Sequence, residues 1–126
     1  MVGKICTFLM PYHDNKTKRN SFKARPCLVI YGPTNNDYTV LPISTISRPE
    51  DRDPKFDYPL IPSDVPNLHL PKTSYVRTHK QTPVHRGQFH EQKSDLKKEY
   101  PDKYEEIMQR NKEFNAMIQA ENCRET

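Results

Sequence analysis

Eleven of the chain's twelve prolines fall before residue 90, at spacings that leave little room for helices of ordinary length. A proline inside a helix removes a hydrogen bond and clashes with the preceding turn, so this region reads as short strands and loops. Residues 5–9 form a first strand, ended by Met10-Pro11. Residues 26–31 (PCLVIY) are nearly all apolar, the pattern of a central strand. Residues 32–37 have turn composition, and 38–43 (YTVLPI) return as a third strand hairpinned to the second. Residues 57–61 make a short edge strand, because Pro59 cannot donate to a ladder. Residues 74–79 (SYVRTH) alternate and supply a fifth strand. Between the first two strands lies a polar loop long enough to be functional, and 46–57 form a second polar loop.

After Phe89 the pattern changes. Beyond Pro101 the sequence holds neither proline nor glycine, and Tyr104, Ile107, Met108, Phe114 and Ile118 fall on one helical face, with Asn111 interrupting the stripe. Asp102 is placed to cap this helix, with Glu105 completing a capping box, and a shorter helical turn begins at Ser94 or Asp95. Residues 123–126 read as a frayed tail. The expectation is one domain over 1–126: a β-barrel over 1–90 with a long basic first loop, then a helical segment over 91–126. The fold class is mainly β with a C-terminal helix, a small twisted barrel closed by that helix.

Leu, Ile, Val and Phe together number 25 of 126 residues, a composition at the edge of disorder. The net charge is only +4 and the apolar residues are bunched, so a small core forms. No apolar run approaches the roughly 18 residues of a membrane span, and the N-terminus lacks a signal-peptide pattern; a cytoplasmic protein with no membrane association is expected. Cys6, Cys27 and Cys123 are odd in number with no CxxC, and His69, His85 and His90 show no ligand spacing with them, so neither a disulfide framework nor a metal site is suggested. Three glycines leave no room for a phosphate-binding or dinucleotide loop, so no nucleotide cofactor is expected.

Charge is unevenly spread. Residues 1–90 carry a net +6 and residues 91–126 a net −2. Lys16, Lys18, Arg19, Lys23 and Arg25 cluster against Asp14 alone, a density that attracts phosphates.

Four features, in order, resemble the PemK/MazF family of toxin endoribonucleases from toxin–antitoxin systems. Gly3-Lys-Ile5 stands where the family opens its first strand. Arg25-Pro26-Cys-Leu-Val-Ile30 is similar to its Arg-Pro followed by an aliphatic strand. Val40-Leu-Pro-Ile-Ser-Thr45 is similar to its strand ending in a hydroxyl pair, and Ser74-Tyr-Val76 to a later strand opening with serine. The resemblance implies an SH3-like barrel, a homodimer, that cuts single-stranded RNA without metal. The implied products carry a 2′,3′-cyclic phosphate and a 5′-hydroxyl, and an antitoxin protein is the implied neutralising partner.

The residues fit that chemistry in an identifiable way. Arg25 offers a fork of donors for two phosphate oxygens, and Pro26 holds its backbone extended. Ser44 or Thr45 can donate a hydroxyl hydrogen bond to the same phosphate. Arginine is a poor base, whereas histidine is the residue type that titrates near neutral pH. His13, in the basic loop, is therefore the candidate general base, and His79 lies on the fifth strand, where the resemblance places a polar residue near the groove. Lys16, Lys18, Arg19, Lys23, Arg48 and Arg77 are the candidate RNA grip, and Tyr12 and Phe22 can stack on bases. Two other readings stay open: a non-catalytic barrel binding RNA or protein, and a gyrase-targeting toxin of the same fold.

Overall fold

The computed structural model describes residues 1–122, so Cys123 and the tail expected there lie outside the described residues. Seven strands run in chain order: β1 (Lys4–Asp14), β2 (Arg19–Thr34), β3 (Asp37–Ser44), β4 (Asp57–Leu60), β5 (Ser74–Arg77), β6 (Thr82–His85) and β7 (Phe89–Asp95). Two helices follow, α1 (Leu96–Glu99) and α2 (Pro101–Asn122). The strands form one curled, antiparallel sheet in the order β4-β5-β3-β2-β1-β7, with β6 joining β3 beside this path. The result is mainly β, a barrel-like sheet with a C-terminal helix.

The apolar runs at 26–31 and 38–43 become the central strands, as their composition requires. Cys27, Leu28, Val29, Val40 and Leu41 are all fully buried. Alternation along the strands splits the core by face. Ile5, Leu28, Leu41, Ile43 and Val76 pack under Tyr104 and Ile107 of α2, while Cys6, Phe8, Cys27, Val29 and Val40 pack with Val84 on the other face. The β2–β3 turn closes through Asn35 (φ 52°) and Asn36 (φ 67°) between the paired residues Thr34 and Asp37. Two consecutive left-handed residues match the right-handed twist of a hairpin, and Asn tolerates that conformation best after Gly.

Several expectations are corrected. The long basic first loop is a hairpin arm: β1 and β2 pair without interruption from Ile5↔Leu28 to Asp14↔Arg19. Asp14 builds its turn, its carbonyl accepting from Lys18 N at 2.7 Å and its carboxylate from Lys16 N at 2.8 Å. The segment over 91–126 is not all helical, because residues up to Asp95 belong to β7, which pairs with β1. Strand β6 was not expected, since Pro83 interrupts it. Asp102 does not cap α2; the helix opens on Pro101, which needs no donor there, and Asp102 sits in the first turn facing the positive end of the dipole. The expected shorter turn is α1, capped by Asp95, whose carboxylate accepts from Lys98 N at 3.1 Å.

Asn111 does not interrupt the packed face of α2. It is buried there, donating to the Thr78 carbonyl at 2.9 Å and to Gln81 Oε1 at 3.1 Å. Ile118, expected on that face, is 42% exposed.

Candidate functional site

Arg25 lies on β2 directly opposite Phe8 of β1. The β2–β3 ladder pairs Leu28 with Leu41 and ends where Cys27 meets Pro42, so Arg25 and Ser44 lie two residues beyond its last pair, on the strand faces of Cys27 and Pro42. Opposed residues of an antiparallel pair point to the same face, and neighbouring strands lie about 4.8 Å apart. Arg25 and Ser44 accordingly line one cavity of about 260 Å³, together with Met10, Pro42, Arg77, Lys80 and Thr82. Its charged residues are all cations. Among the described residues no carboxylate lies within ion-pair distance of Arg25.

Arg77 enters this cavity already engaged. Its Nε donates to Asp57 Oδ1 at 3.1 Å and its Nη2 to the Asp51 carbonyl at 3.3 Å. The Asp57 carboxylate is fully buried and also accepts from Asp53 N at 2.7 Å. Arg77 therefore walls the cavity as half of a largely buried ion pair, whereas Arg25 and Lys80 present exposed charge.

The other candidates separate. Arg19, Lys23 and Arg25 alternate along β2 and share one face of the arm, with Lys16 and Lys18 in its turn. Tyr12 pairs with Ser21 farther along the same arm. His13 lies on the alternate face, five residues beyond Phe8 and thus about 16 Å along the strand. Its Nδ1 meets Asn20 Oδ1 at 3.1 Å, so it does not reach the cavity. Phe22 is 69% exposed, also on the alternate face. Thr45 is exposed one residue past the end of β3 and does not line the cavity, so of the two candidate hydroxyls Ser44 is the one that shares it with Arg25. Arg48 is exposed and lines neither this cavity nor the larger one described next.

His79 does not face the groove. It packs between Phe56 and Phe114, with ring centroids 6.0 and 6.1 Å away, and its Nδ1 lies 3.8 Å from Asp57 Oδ1. Burial pushes its pKa below the ordinary histidine value, partly opposed by the Asp57 charge. The buried thiols behave alike in kind: desolvation raises Cys6 and carries Cys27 up to about 12, so both stay protonated and unreactive.

A larger cavity, of about 480 Å³, adjoins the same sheet face and is lined by Arg52, Asp53, Asp57, Pro59, Tyr75 and Arg110 among others. Lys80, Thr82 and Tyr75 escape sequence reasoning, because only the pairing of β3 with β5 and β6 brings their segments to Ser44's strand, and Arg52 escapes it because it joins them only through its contact with Tyr75. The signal for Lys80 was present in the charged run Arg77-Thr-His-Lys80. Among the described residues no three His, Cys, Asp or Glu side chains gather in a way that could hold a metal ion, and no helix is long and apolar enough to cross a membrane. No family model matches the chain, and no curated protein matches it.

Proposed function

We propose that this chain is an endoribonuclease that cuts single-stranded RNA without metal, and that Arg25 and Ser44 act together on the scissile phosphate. The observation that carries the reading is their convergence on one cavity whose charged residues are all cationic. The resemblance of Arg25-Pro26 and Ser44-Thr45 to the toxin endoribonucleases points the same way. In this reading the RNA 2′-oxygen attacks phosphorus and the bond to the 5′-oxygen breaks. A 2′,3′-cyclic phosphate forms, the 2′-hydroxyl loses its proton and the 5′-oxygen gains one. Arg25 stabilises the charge that builds on the phosphoryl oxygens, and Ser44 donates to one of them. Lys16, Lys18, Arg19 and Lys23, presented along the hairpin arm, hold flanking phosphates. Four or five such contacts give a slope of log affinity against log salt of about −3.

The cavity lining holds no carboxylate and no imidazole, so proton removal falls to solvent. The rate should then rise with pH without a bell-shaped optimum. That same lack favours the second reading, a barrel that binds RNA without cutting it. An antitoxin partner, a homodimer and an SH3-like barrel belong to the proposal through the resemblance. Incubating the protein with several single-stranded RNAs in excess EDTA, beside Arg25→Ala, separates the two readings. Cleavage that falls by about a hundredfold or more in the variant supports the nuclease. RNA recovered intact but bound in a salt-dependent way supports the binding barrel.

A further inference from the structure

We propose that the larger cavity, walled by Tyr75 and Arg52, is a nucleobase subsite that takes an unpaired base next to the phosphate at Arg25 and Ser44. This rests on RNA being the ligand of the smaller cavity. Tyr75 pairs with Ser44 across β3–β5, and Pro59 pairs with Tyr75 across β4–β5. Ser44, Tyr75 and Pro59 therefore form one row across three strands, and Arg25 shares the smaller cavity with Ser44. At about 4.8 Å per strand, Tyr75 stands one strand from Ser44. Arg77 and Asp57 form the neighbouring row, the first lining the smaller cavity and the second the larger.

The lining suits a base. Its volume of about 480 Å³ falls in the range of small-molecule sites. Arg52 lies over the Tyr75 ring with its guanidinium carbon 5.1 Å from the centroid, and it also donates to the Tyr75 hydroxyl. Arg110 supplies a second guanidinium to the lining. Phenol and guanidinium planes are the surfaces on which unstacked bases rest. Both carboxylates in the lining are occupied: Asp57 by Arg77, and Asp53 by the backbone N–H groups of Lys55 and Phe56 at 2.8 and 2.9 Å. Among the described residues neither Arg52 nor Arg110 meets a carboxylate at ion-pair distance, which keeps the pocket favourable to a phosphate-bearing ligand.

The test measures binding of a short 2′-O-methyl RNA, which has no nucleophile and stays uncut, by fluorescence anisotropy with the full chain. A set of the same oligonucleotide carries one abasic position at each site in turn. One abasic position should weaken wild-type binding about tenfold, and Tyr75→Leu should weaken the intact oligonucleotide by a similar factor. Tyr75→Leu should add nothing once that base is missing, and Tyr75→Phe should bind within about twofold of wild type. Arg52→Gln, an exposed substitution that leaves the core alone, should also weaken the intact oligonucleotide. Unchanged binding by both Tyr75→Leu and Arg52→Gln overturns the subsite. If that happens while cleavage remains dependent on Arg25, the nuclease reading stands alone. If wild type cuts no RNA but the Tyr75 and abasic effects coincide, the subsite stands and the nuclease reading falls.

Discussion

Removing Arg77 should destabilise the fold far more than loss of a surface charge. The Asp57 carboxylate is 0% exposed and the Arg77 side chain 25% exposed. An exposed ion pair contributes about 0–1 kcal/mol, whereas stripping the partner from a buried charge costs about 3–5 kcal/mol. The burial of Asp57 decides for the larger figure. In Arg77→Met the carboxylate keeps the Asp53 N–H at 2.7 Å, but His79 at 3.8 Å is too distant for a hydrogen bond. With a urea m-value of about 2 kcal/mol/M, the unfolding midpoint should fall by about 2 M. Adding Asp57→Asn removes the stranded charge and keeps an acceptor for Asp53 N–H. The double variant should therefore recover part of the loss, with a coupling of about 0.5–3 kcal/mol. Urea melts of wild type, both single variants and the double variant by circular dichroism measure this. A loss below 1 kcal/mol in Arg77→Met, or strictly additive effects, would refute the argument.

Other outcomes follow from particular contacts. Asn111→Ala strands the buried Thr78 carbonyl and should cost about 1–3 kcal/mol in the same melts. Gly3 has φ 90°, and a Cβ there would stand 2.5 Å from Lys97 Cβ; Gly3→Ala should lose about 1–3 kcal/mol by crowding α1 against β1. Because His79 has its pKa lowered in the fold, the unfolded chain binds the extra proton first. Stability from this group is whole above the ordinary value of 6.5 and is lost as pH falls from there through the folded pKa, so His79→Gln should flatten the urea midpoint across that window. His13→Ala should cleave RNA as wild type does, because His13 lies on the other face of the arm from Arg25.

The sequence discloses the strands that bury themselves and conceals those that borrow their partners. Residues 26–31 and 38–43 are legible because a central strand must be apolar on both faces. Strand β7 (FHEQKSD) has no buried residue and exists because the edge of β1 needs a partner, which nothing in its own alternation announces. The basic arm reads as a loop because charge masks the β-pairing that Asp14 organises. Asn111 looked like a defect in an apolar stripe, since the carbonyl that satisfies it comes from a residue 33 positions away. Arg25 and Ser44 were legible as a pair because one opens and the other closes an apolar run, although Arg25 lies inside the longer β2 and not at its end. Tyr75 and Arg52 were not, because Tyr75 meets Ser44 only across the sheet and Arg52 meets the site only through Tyr75.

The central claim is that one guanidinium and one hydroxyl act on a single phosphodiester. Mapping the termini left on a single-stranded RNA in excess EDTA tests it most directly, with wild type, Arg25→Ala and Ser44→Ala compared. The account predicts a 2′,3′-cyclic phosphate and a 5′-hydroxyl from wild type, with both variants strongly slowed. A 3′-hydroxyl with a 5′-phosphate, or cleavage unaffected by either substitution, would contradict it.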